Sequence, residues 1–202
     1  MTTYILFGGA IRNMTDAQNQ NLRDAILERL NSENPRIADV TFAEPREVWE
    51  QKFRDKHTPT FQRLFGENYQ ARLVMPDNFL DDVKWANVVY LHGGDATFLA
   101  YYLDKFKDLA EIFTGKVVIG TSAGALYLSA IAWNADWREV KPGRGLVNIA
   151  VIPHFNGQFG KDDPRGSIDW AAAKRELSSA TSLPIYEIPE CEFEVFMEGK
   201  RS

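Results

Sequence analysis

The sequence predicts an α/β fold, a three-layer αβα sandwich around a mostly parallel sheet, built as one domain. Three observations predict it. Short apolar runs alternate along the chain with segments whose apolar residues recur at helical spacing, the pattern of βαβ units. Turn residues follow the apolar runs closely, leaving little room for anything but direct strand-to-helix connections. The 202 residues are enough for one full hydrophobic core, and no linker, repeat or low-complexity segment divides them.

Tyr4-Ile5-Leu6-Phe7, followed by Gly8-Gly9, reads as a buried strand entering a turn. Thr15-Asp16 offers a cap to a helix carrying Leu22, Ile26, Leu27 and Leu30 at helical spacing. Residues 38–43 are the second strand. Glu44-Pro45 opens a helix with Val48, Trp49 and Phe53 on one face, continuing less clearly over 52–64. Residues 71–75 read as a short strand, and Pro76-Asp77 caps a helix through Val83. Residues 87–91 are a strongly apolar strand ending in His92-Gly93-Gly94-Asp95, with Phe98, Leu99, Tyr102, Leu103 and Phe106 on the helix beyond. The next strand, 116–120, turns sharply at Thr121-Ser122-Ala123-Gly124 into a helix expected over 125–131. A strand over 146–152 ends at Pro153-His154. The polar, Gly-rich stretch 157–167 is a loop. A helix over 168–177 and strands over 185–188 and 192–197 close the chain, the last as an edge hairpin.

Composition excludes several classes. Apolar residues make up 45% and charged residues 25%, as in ordinary globular domains. A net charge of −5 gives no electrostatic footprint for nucleic acid or anionic lipid. No apolar stretch approaches the roughly 20 residues of a membrane span, and the N-terminal segment lacks the features of a secretory signal. Cys191 is the single cysteine, so no internal disulfide forms. These features lead us to expect a cytoplasmic protein. The three histidines show no metal-ligand spacing and neither Gly-Gly turn continues as G-x-G-x-x-G, so no metal or other cofactor is expected.

The chemistry concentrates at predicted strand ends, where α/β folds place their sites. Gly120-Thr121-Ser122-Ala123-Gly124 matches the G-x-S-x-G elbow, which pushes a serine out of the sheet and aims the next backbone N–H, here that of Ala123, at a developing oxyanion. A serine N-cap between packing glycines is the alternative. A serine needs a neighbouring base, and His154 stands at the right kind of position for it. An orienting carboxylate is sought between the two, and Asp136, flanked by Trp133 and Trp137, is the first candidate, with Glu139 in reserve. His92-Gly93-Gly94-Asp95 can form a backbone nest for a second oxyanion donor at Gly94 or Asp95, with His92 lining the site. Asp95 also suits a helix N-cap.

Together these residues resemble peptidase family S51, which includes dipeptidase E and cyanophycinase. The likeness runs from Tyr4-Ile5-Leu6-Phe7-Gly8-Gly9 through Val89-Tyr90-Leu91-His92-Gly93-Gly94-Asp95-Ala96-Thr97-Phe98 and Val118-Ile119-Gly120-Thr121-Ser122-Ala123-Gly124-Ala125 to Ile152-Pro153-His154-Phe155. The resemblance implies a fold like class I glutamine amidotransferases, with serine where those enzymes carry cysteine. It implies a serine peptidase of the dipeptidase class, with Ser122 as nucleophile, His154 as base, Asp136 as acid, and Gly94 or Asp95 with Ala123 around the oxyanion. By the same likeness Arg165 is the nearest candidate to bind an N-terminal aspartate, with His92 and Gly93 beside the substrate. The partners expected are a small peptide substrate and, as an option, a second copy in a homodimer; nucleic acid and membrane are not. Two other readings stay open: an α/β-hydrolase-type esterase, and an inactive family member kept as a binding module.

Overall fold

A computed structural model describes residues 1–30, 32–197, 200 and 201. In chain order the elements are β1 (Thr3–Phe7), α1 (Asp16–Leu30), β2 (Arg36–Val40), α2 (Trp49–Lys52), a π-helical turn (Phe53–His57) running into α3 (Thr58–Phe65), β3 (Gln70–Leu73), α4 (Phe79–Trp85), β4 (Val88–Leu91), α5 (Ala96–Leu103), α6 (Leu109–Ile112), β5 (Val117–Thr121), α7 (Ala123–Leu128), β6 (Ser129–Asn134), β7 (Glu139–Pro142), β8 (Val147–Pro153), α8 (Trp170–Ala180), β9 (Ile185–Ile188), β10 (Phe193–Met197) and β11 (Lys200–Arg201).

The main sheet has the order β11-β10-β1-β5-β4-β2-β3, with β1, β5, β4, β2 and β3 all parallel and β10 antiparallel to β1. Period-two alternation along the strands divides the core into two layers. Tyr4, Leu6, Val89, Leu91 and Val118 pack with α4 to α7 on one face. Ile5, Phe7, Val88, Tyr90 and Ile119 pack with α1 and α3 on the other. This sandwiching explains why the central strands read as continuous apolar runs.

A second sheet, β7-β6-β8-β9, stands in addition to the mostly parallel sheet that the sequence suggests. The helix expected over 125–131 ends at Leu128, and Ser129 switches to extended geometry. Its continuation is β6, where Ala132 joins the main core while Ile131 and Trp133 face a third cluster beneath α8. Small residues at 130 and 132 suit either periodicity, which is why the segment reads as helix. The closing strands also part company: β9 joins β8 in the second sheet, while β10 crosses back to β1. Among the described residues no helix is long and apolar enough to cross a membrane.

Candidate active site

β1, β4, β5 and β8 all deliver their carboxyl ends to one crevice of about 540 Å³. Ser122 sits between β5 and α7 with φ 50° and ψ −104°, a strained conformation that a non-glycine residue rarely adopts. The turn needs its flanking glycines because strand and helix touch. A Cβ on Gly120 would lie 2.6 Å from the backbone of Gly124, and one on Gly124 would lie 2.4 Å from the carbonyl oxygen of Leu91. Two successive carbonyls at the end of β1 set the spacing of the site: Phe7 accepts from the Ser122 N–H at 3.0 Å and Gly8 accepts from the His154 N–H at 2.9 Å. His154 is likewise held at positive φ, 59°.

These anchors bring the Ser122 hydroxyl to 2.9 Å from Nε2 of His154. Nδ1 of His154 lies 3.0 Å from Oε1 of Glu190. The tautomer that serves both contacts carries its proton on Nδ1, donates it to Glu190, and leaves Nε2 to accept from Ser122. The imidazole is 7% exposed and Phe159 stacks on it at 4.2 Å. Burial pushes its pKa down, against the upward pull of the Glu190 hydrogen bond and charge and of Asp136. The ring is therefore neutral at pH 7 and able to take a proton.

Glu190 takes the place expected for Asp136. Asp136 lines the same crevice, but its carboxylate makes no hydrogen bond to any described residue. Burial and the neighbouring Asp95 raise its pKa, opposed by His154 and Arg165. Glu139 lies on β7 and pairs with Lys141. Glu190 lies outside the stretch between Ser122 and His154 because the carboxylate comes from the turn after a later strand, β9. A signal was present: Ile188-Pro189-Glu190 repeats the pattern Ile152-Pro153-His154, and β8 and β9 pair in parallel with Pro153 opposite Ile188.

The oxyanion candidates divide. Ala123 heads α7, where the first N–H groups have no intrahelical acceptor. Gly93 and Gly94 line the crevice, and a Cβ on Gly93 would lie 3.2 Å from that of Ser122. Asp95 is corrected as a donor: its N–H is committed to the Ala43 carbonyl at 2.7 Å, and its side chain caps α5 through the Thr97 N–H.

Two expected substrate contacts also move. Arg165 does not line the crevice; its guanidinium is engaged by Asp163 at 2.9 Å and by the Asp136 carbonyl at 2.7 Å. His92 points away from the crevice, into a buried group with Asp39 and His57. Asp39 is fully buried and accepts from Nδ1 of His57 at 2.9 Å. The two imidazoles stack with centroids 3.5 Å apart and planes within 4°. Nε2 of His92 lies 2.8 Å from Asp39 Oδ1, but off the hydrogen-bonding direction, and has no hydrogen-bond partner among the described residues. Burial lowers the His92 pKa to about 4, against the pull of Asp39. Burial raises the Asp39 pKa, but the imidazoles of His92 and His57 outweigh it and hold it at about 2. These three side chains are the set, among the described residues, whose ligand atoms lie close enough together to consider for a metal ion. Their fit is poor, because in-plane lone pairs of parallel stacked rings do not converge on one point.

The parallel sheet, the strained serine and the Ser–His–Glu chain together define an α/β protein with a hydrolase-type site at its strand ends. A family model described as peptidase family S51 matches residues 4–191. The chain belongs to peptidase family S51 and is a peptidase. Two solved structures share the fold. A peptidase from an acI-B1 Actinobacterium is 24% identical, with a TM-score of 0.67, covering 99% of this chain and 85% of its own. A protein from Listeria monocytogenes EGD-e described as peptidase E is 17% identical, with a TM-score of 0.65, covering 100% of this chain and 96% of its own. No curated protein sequence matches.

Proposed function

We propose that the protein is a serine peptidase that hydrolyses small peptides through an acyl-enzyme on Ser122, with His154 as general base and acid and Glu190 as the orienting carboxylate. The observation that carries this reading is the unbroken chain Ser122 Oγ–His154–Glu190, at 2.9 and 3.0 Å. His154 takes the hydroxyl proton as Ser122 attacks the peptide carbonyl, and Glu190 stabilises the imidazolium that forms. The backbone N–H groups of Ala123 and Gly94 receive the oxyanion. His154 returns its proton to the leaving amine, and water enters by the same route to release the acid. The dipeptidase likeness suits the size of the crevice, which has room for a few residues.

Covalent labelling by a fluorophosphonate tests the serine directly. The intact protein should label at Ser122, and Ser122→Ala should neither label nor turn over peptides while keeping its melting temperature. An unlabelled folded protein with no peptide turnover would instead support the binding-module reading.

A further inference from the structure

The Ser122–His154 pair marks the crevice as a place where a ligand must sit, and the rest of its wall has a definite sign. Asp95 and Asp136 both line it, and among the described residues no lysine or arginine does. One Asp95 oxygen accepts from the Thr97 N–H, and the Asp136 carboxylate has no hydrogen-bond partner among the described residues. The two carboxylates are close enough to feel each other's charge. Arg165, whose charge Asp136 feels, is held outside the wall by Asp163 and a backbone carbonyl. Trp137 and Phe159 add aromatic faces beside the acids. An acidic residue next to the scissile bond would meet two like charges and no partner. A cation would neutralise the acid pair and find ring faces for its stem.

We infer that the substrates are basic peptides, carrying a lysine or arginine side chain beside the scissile bond, with Asp136 and Asp95 as the residues that select them. This rests on the serine peptidase reading and names the substrate class of the same site. An N-terminal aspartate, the option the family likeness raised, is the disfavoured case.

Binding to the Ser122→Ala protein separates specificity from chemistry, since nothing is cleaved. Titration calorimetry with Lys-Ala, Ala-Lys, norleucine-Ala and Asp-Ala should rank one of the two lysine peptides at least about tenfold tighter than norleucine-Ala, the size of one charge-assisted contact. Asp-Ala should be the weakest. Asp136→Asn in the same background should shrink the lysine-to-norleucine ratio severalfold, and Asp95→Asn, which retains a capping side chain, should act in the same direction. On the intact protein the same lysine peptide should have the highest kcat/KM of the panel. Equal binding of lysine and norleucine peptides, or a preference for Asp-Ala, would overturn the inference while leaving the Ser122 mechanism standing. Failure of the intact protein to label at Ser122 would remove both.

Discussion

Replacing Glu190 by glutamine removes one negative charge and leaves an oxygen able to accept from Nδ1 of His154. The change isolates what the charge does. The carboxylate lies 3.0 Å from the ring, and under the proposed mechanism it faces an imidazolium in the transition state. A pair of unit charges about 4 Å apart at an effective dielectric of about 20 is worth about 4 kcal/mol. Glu190 is 28% exposed at its side chain, so solvent screens part of that. A loss of about 2–3 kcal/mol remains, or about 30- to 150-fold in kcat. Glu190→Ala should lose more, because the ring then has nothing to hold its orientation. The pH profile provides an independent reading. Glu190 pulls the His154 pKa up against burial, so its removal lets that pKa fall further. The acid limb of kcat/KM, already below the ordinary histidine value of about 6.5, should move to still lower pH in Glu190→Gln. Steady-state peptide hydrolysis across pH 4–8 measures both effects. Activity of Glu190→Gln within about threefold of the parent, with a hundredfold loss in Asp136→Asn, would refute the assignment and return the orienting role to Asp136.

Other consequences follow from close packing and burial. Gly124→Ala places a Cβ 2.4 Å from the Leu91 carbonyl oxygen, so strand and helix must separate; urea denaturation should show a loss of about 1–3 kcal/mol together with reduced turnover. Gly9→Ala sets a Cβ 2.2 Å from the His154 ring at a φ of 117°, and should cut Ser122 labelling sharply by displacing the imidazole. His92, held at about 4 when folded, binds its proton more readily in the unfolded chain. Its contribution to stability is therefore full above about pH 6.5 and falls as pH drops toward 4, by at most about 3 kcal/mol. Comparing the pH dependence of unfolding free energy in the parent and in His92→Gln checks this: the variant should show a shallower decline over that window.

Local chemistry made much of the molecule legible. The buried central strands announce themselves as apolar runs because both faces are covered, and Gly120 and Gly124 announce the elbow because only a residue without a Cβ lets strand and helix touch. Ser122 and His154 were readable as chemistry at strand ends, and the structure joins them at 2.9 Å. The split into two sheets was not legible, since alanines at 130 and 132 fit helix and strand alike and only packing against α7 and β8 chooses. Nor was the pairing of carboxylate with imidazole. Asp136 and Glu190 are similar as isolated acids, and parallel pairing of β9 with β8 decides that Glu190 meets the ring while Asp136 is left facing the crevice. The sequence by itself determined which residues can react and where the backbone must turn, because those are short-range steric and chemical constraints. Only the tertiary structure decided which charges become partners, because a proton's affinity depends on neighbours a few ångströms away in space that lie dozens of residues away along the chain.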